Sequence, residues 1–213
     1  MTRSRVDPRL RESTRQWAPG EGLRGALPRE RRSAAAVRLR RRQARWEAAR
    51  HPITRSVDRP GSFLDIGCAN GYLLESLVHW SPHAIEPYGL DFSARLVELA
   101  LARLSQWADR FFVGDALEWE PPGRFDFVRT ELEYAPEERR RELVEGLLER
   151  VVAPGGRLIV CGYGSPRSGI PTDPVRPTLR GWGYEPELEL AAEAPEGGGP
   201  IVELAVLGVP AGP

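Results

Sequence analysis

A chain of 213 residues is long enough for one well-cored domain with an appendage, and a composition of 41% hydrophobic and 28% charged residues excludes a fibrous or disordered polypeptide. No apolar run reaches the ~20 residues that a membrane-spanning helix requires, and nothing apolar follows the basic Met1–Arg5 stretch, so neither a membrane partner nor a secretory leader is expected. Two cysteines, Cys68 and Cys161, are too few for a disulfide framework and lack metal-ligand spacing, so the expectation is a reducing cytoplasm and no metal. All 30 basic residues are arginine, which reads as codon bias before function. The net charge of zero conceals a split: sixteen arginines against five acids across residues 1–56, and fourteen against twenty-five across 57–213. A +11 arm therefore precedes a −11 body, and two regions are expected, 1–56 and 57–213.

In chain order, Asp7-Pro8 reads as a helix start and Ala18-Pro19-Gly20 as its end. Ser33 caps a second helix running to about Arg50, whose thin stripe of Val37, Leu39 and Trp46 suits a helix lying on something else. From Gly61 short apolar runs alternate with amphipathic helices, the pattern of a parallel sheet. Strands are expected at 62–66, 87–91, 111–113, 125–129 and 157–161, with helices at 70–80, 93–107 and 137–152 between them. The turn Ala153-Pro-Gly-Gly156 ends the last of these helices. A short helix near 174–180 and strands at 184–190 and 201–207, close enough to pair as a hairpin, complete the tail.

The strongest signal is Phe63-Leu-Asp-Ile-Gly-Cys-Ala-Asn-Gly71, a strand ending in an acid and opening through glycines into a helix. Gly67 and Gly71 let backbone come close to a ligand, and the helix N-terminus offers N–H groups to an anion. Asp91 closes the second strand 24 residues after Gly67, near the ~20 expected of an acid that binds ribose hydroxyls. Phe92 beside it is placed to lie against an adenine ring. The third strand runs into Gly114-Asp115-Ala116 and brings another carboxylate to the same sheet edge.

Together with Gly89-Leu-Asp-Phe-Ser93, Phe125-Asp-Phe-Val128 and Ala153-Pro-Gly-Gly-Arg-Leu158, these segments resemble the ordered motifs of class I S-adenosylmethionine-dependent methyltransferases across roughly residues 60–165. The resemblance implies an α/β, Rossmann-like, doubly wound, mostly parallel seven-stranded sheet with a C-terminal antiparallel hairpin, here with an N-terminal helical arm. It implies S-adenosylmethionine as cofactor. Asp65, Gly67, Cys68, Ala69 and Gly71 would lie along its methionine part, Asp91 and Phe92 along the ribose and adenine, and Asp115 with Ala116 at the adenine. The backbone around Arg129 and Thr130 would face the amino group. Ala69 departs from the family, where many members carry glycine. A nicotinamide cofactor fits less well: the G-x-G-x-x-G pattern is absent, and Asp65 would repel a pyrophosphate while attracting an ammonium and a sulfonium.

The acceptor side says less. Glu131, Glu133 and Tyr134 follow the fourth strand, and either glutamate could bind a cation or take a proton, the bland alternative being a solvated loop carboxylate. Tyr163 stands where a pocket wall would be. The expected partner is a small-molecule acceptor, with the arm as a lid over its pocket. Binding of RNA or DNA through arginine–phosphate contacts, a partner-binding extension without a catalytic part, and a cofactor-binding protein without transferase activity are the alternatives.

Overall fold

The structure, a computed structural model, describes residues 29–212, with side chains from Ala35 onward apart from Arg167. Seven strands form one sheet: β1 (Gly61–Ile66), β2 (Ile85–Asp91), β3 (Phe111–Val113), β4 (Phe125–Glu131), β5 (Val152–Tyr163), β6 (Leu188–Glu193) and β7 (Pro200–Gly208). Their order is β3-β2-β1-β4-β5-β7-β6. The first five run parallel, and β7 lies antiparallel between β5 and β6. The doubly wound sheet with its C-terminal hairpin is the architecture that the motif order implied.

The parallel strands are apolar on both faces because helices cover both. The helices are α1 (Arg29–Arg50), α2 (Tyr72–Trp80), α3 (Ala94–Arg103), α4 (Arg140–Gly146) and α5 (Val175–Gly181). One face packs Leu64, Val128, Leu158 and Val160 against Leu143 and Val144 of α4 and Leu179 of α5. The other packs Phe63, Phe127, Ile159 and Cys161 against Leu73, Leu74 and Leu77 of α2 and Val97 and Ala100 of α3. Since side chains alternate along a strand, Asp65 and Arg129 fall on this second face, two residues beyond Phe63 and Phe127. Strand order reverses between β1 and β4, the place where open α/β sheets form a ligand crevice at their carboxyl ends.

Several boundaries differ from expectation. The helix read over 137–152 is broken into a 3-10 turn at Glu137–Arg139, α4, and a π-turn at Leu147–Val151. The segment read as a turn at 153–156 belongs to a longer β5, which bends at Gly155 with φ +74°. β6 begins later than read, because Tyr184 N–H donates to the Leu179 carbonyl and closes α5. α1 starts at Arg29, not Ser33, and its stripe is incomplete: Val37 and Leu39 are 46% and 64% exposed. The helix expected near Asp7-Pro8 lies outside the described residues. The compact body begins at Arg42, ahead of the boundary expected at residue 57. Within it the last turns of α1 are anchored, with Trp46 against Tyr72 and Trp80, Gln43 Nε2 donating to Tyr72 Oη at 2.8 Å, and Ala49 buried.

Candidate active site

The carboxyl ends of β1, β2 and β3 carry three acids in different environments. Asp65 is buried, and burial pushes its carboxyl up to about 6 against the opposing pull of Arg129. Asp91 accepts from the backbone N–H of Ser93 and of Ala69, each at 2.9 Å, so it fixes the turn leading into α3 and holds the β1–α2 loop at once. Burial raises its carboxyl in spite of these bonds. Asp115 is exposed and accepts from Leu117 N–H at 2.8 Å, while Ala116 packs on the core. Phe92, beside Asp91, is 65% exposed at the edge of the crevice.

The loop glycines have packing duties of their own. Gly67 has φ +73°, and a Cβ there would stand 2.3 Å from the Tyr134 ring. Gly71 is also left-handed and backs onto Ala100 and Leu104. Cys68 is buried with its Sγ against Gly89, and burial raises its thiol, as suits a packing residue. Ala69 has φ +48°, the one non-glycine with positive φ among the described residues, and Asp91 holds it there.

Sequence reasoning placed Arg129 at the site through its backbone; the structure places its side chain there. Its guanidinium, 3% exposed, donates to Asp65 Oδ1 at 3.1 Å, to Tyr134 Oη at 3.2 Å and to Tyr163 Oη at 3.3 Å, and is paired with Glu131. Tyr134 Oη donates to Glu131 Oε1 at 2.7 Å. Burial would raise Glu131, but Arg129 outweighs it and holds the carboxyl below its ordinary range. Asp65 and Arg129 are register partners on neighbouring strands, so the alternation that aligned Phe63 with Phe127 was the signal that could have found this pair. Thr130 is fully buried on the opposite face, and its hydroxyl stays local, 3.4 Å from the Glu131 carbonyl.

Around the carboxyl ends of β4 and β5 lie Glu133, Asp173, Tyr163 at the end of β5, and Arg50 over its ring. Glu133 reaches solvent, yet desolvation and then Glu131 lift its carboxyl to about 8, a shift that water softens. Asp173 is raised by partial burial, and its backbone packs on Gly162 of β5. The structure thus gathers Asp65, Arg129, Glu131 and Tyr134 into one network with Tyr163. Asp91 and Phe92 adjoin it along the edge, and Asp115 stands at its far end.

Such an edge, acids closing β1 and β2 and a glycine loop between them, lies at the carboxyl ends of the strands, where open α/β sheets take their ligands. Residues 63–156 match the model of the methyltransferase domain. The segment belongs to that family. No curated protein matches the chain. Among solved structures, the N-methyltransferase NodS of Bradyrhizobium japonicum WM9, bound to S-adenosyl-L-homocysteine, is 20% identical over 81% of this chain and 87% of its own, with a TM-score of 0.56. The 1,6-didemethyltoxoflavin-N1-methyltransferase of Burkholderia thailandensis, with S-adenosylhomocysteine and its acceptor bound, is 16% identical over 88% and 93%, with a TM-score of 0.59. A methyltransferase from Haloferax volcanii, solved with a methyltransferase activator, is 19% identical over 85% and 96%, also at 0.59. These likenesses establish that the methyltransferase domain sits on the same fold.

Proposed function

We propose that the chain moves a methyl group from S-adenosylmethionine to a small-molecule acceptor. The observation that carries this reading is the set of acids along the β1–β2–β3 edge, with Phe92 exposed beside Asp91. The residues present fit the cofactor: Asp91 keeps lone pairs free for ribose hydroxyls, Phe92 offers a bare ring to the adenine, and Asp65 supplies negative charge next to a helix N-terminus. Two related folds were solved with the demethylated cofactor, which supports the same assignment.

When bound, the cofactor supplies a methyl group already activated on a sulfonium. The chain's residues then have to bind, orient and exclude water, and orientation alone supplies ~7–11 kcal/mol of rate enhancement. Arg129 fixes Glu131 and Tyr134 against Gly67, so the wall facing the β1 loop is rigid. Glu133, at the open side, is the group placed to take a proton from an acceptor that carries one.

Incubation with methyl-labelled cofactor and a library of small amines, phenols and acids tests the reading, with label expected on a small acceptor. Label on RNA or DNA alone would overturn the acceptor class. That second reading draws on the exposed arginines Arg38, Arg40, Arg41 and Arg42 of α1 and predicts steeply salt-dependent binding of nucleic acid.

A further inference from the structure

Arg50 closes α1, and its guanidinium carbon lies 4.4 Å from the Tyr163 ring centroid and 5.1 Å from that of Trp46. Arg129 takes Asp65 and Glu131, Arg45 takes Glu196, and Arg176 takes Glu203. Arg140 faces Asp173 electrostatically. Arg50 makes no ion pair among the described residues; its contacts are the two rings. Tyr163, the ring it lies over, also accepts from Arg129 at 3.3 Å, so Arg50 stands at the carboxyl end of β5, beside the Arg129–Glu131 network and away from Asp91 and Phe92 on β2. Glu131 Oε1 is already shared by Arg129 and Tyr134 and is not free to neutralise it.

A guanidinium lying over aromatic rings leaves its N–H donors to bond elsewhere, and its planar fork suits a carboxylate gripped by two parallel bonds. We infer that Arg50 receives an oxyanion of the acceptor, so that the acceptor is a small organic acid whose methyl-accepting atom lies toward Glu133 and Tyr134. The inference rests on the methyltransferase reading above and names its substrate class. The crevice can take such an acid because Arg129 offsets one of its two buried carboxylates, Asp65 and Glu131, and Arg50 adds a second positive charge over the Tyr163 ring.

The test uses the intact protein saturated with S-adenosylhomocysteine and labelled at arginine Nε, titrated with benzoate and with benzamide, its neutral isostere. Benzoate should give a saturable shift of the Arg50 Nε–H resonance and bind at least about tenfold more tightly than benzamide, ~1.4 kcal/mol. Arg50→Gln should erase that preference, Arg50→Lys should restore part of it, and both should keep their affinity for S-adenosylhomocysteine. Equal binding of the two probes, or no binding of benzoate, overturns the inference even if Arg50→Gln fails to fold, because the comparison is made in the wild type. A large loss of S-adenosylhomocysteine affinity in Arg50→Gln would assign the arginine to the cofactor's own carboxylate and also overturn it. If S-adenosylhomocysteine fails to bind the wild type, the methyltransferase reading itself falls.

Discussion

Asp65 links the site to pH. Its carboxyl stands near 6 in the folded protein against an ordinary 3.8, because burial disfavours the charged form more than Arg129 favours it. The folded chain therefore holds this proton more tightly than the unfolded chain. The resulting stabilisation is complete below about 3.8 and is lost as pH rises through about 6. Binding of a cationic ligand should move the other way, strengthening as pH rises through about 6 and Asp65 ionises. Asp65→Asn should flatten both profiles, and calorimetry across pH 4.5–8 checks this; an unchanged affinity profile would remove Asp65 from the site. Two substitutions probe the loop beside it. Gly67→Ala meets the Tyr134 ring and a positive φ together, and should cost at least ~2 kcal/mol in denaturant melts. Ala69→Gly relieves left-handed backbone worth ~1–2 kcal/mol, less the extra chain entropy of glycine, and should leave stability equal or higher. The sequence made Gly67 legible as a glycine the site needs, but read it as room for a ligand. That Tyr134 fills the space is a contact between residues 67 apart in the chain, and no local pattern announces it. The Arg129 side chain escaped for a similar reason: a basic residue in a buried strand reads as an exception until its register partner is known to be Asp65.

At the scale of elements, strand positions followed from apolar runs and helix ends from prolines and glycines, so β1 to β4 were readable almost residue by residue. The tail was less so. Gly155 bends β5 without ending it, and hydrogen bonds from its N–H to the Val209 and Pro210 carbonyls extend the sheet past the expected turn. The arm was read as a unit of 56 residues from its charge, yet charge does not mark where packing begins. Ala49, Ile53, Thr54 and Ser56 are buried in the body, and Trp46 lies on Tyr72, the first residue of the helix that opens the β1 loop. Removing residues 1–41 should therefore leave the melting temperature of the body nearly unchanged. Removing residues 1–56 takes away the fully buried Ile53 and uncovers Tyr163, and should cost several kcal/mol. Differential scanning calorimetry of the two truncations separates these outcomes, and equal melting temperatures would show that the anchored half of α1 adds no stability.

Across the whole molecule, the division between a basic arm and an acidic body acquires a local meaning. The acids that matter are few and placed: Asp65 and Asp91 inside the crevice, Asp115 at its edge, and Glu131 neutralised by Arg129. The other ion pairs among the described residues are partly or fully open to solvent, and exposed ones such as Arg139–Glu142 and Arg141–Glu145 contribute ~0–1 kcal/mol each. The body's negative charge should favour a donor carrying a sulfonium over its neutral demethylated product, the more so at low salt. The central claim is that this acid-lined edge holds S-adenosylmethionine. Isothermal titration of the intact protein at neutral pH tests it most directly, with S-adenosylmethionine, S-adenosylhomocysteine and NAD run in parallel. Saturable binding of both sulfur nucleotides at one site per chain, weakened at least about tenfold by Asp91→Asn, with no response to NAD, is the predicted result. Binding of NAD with neither sulfur nucleotide taken up would contradict it.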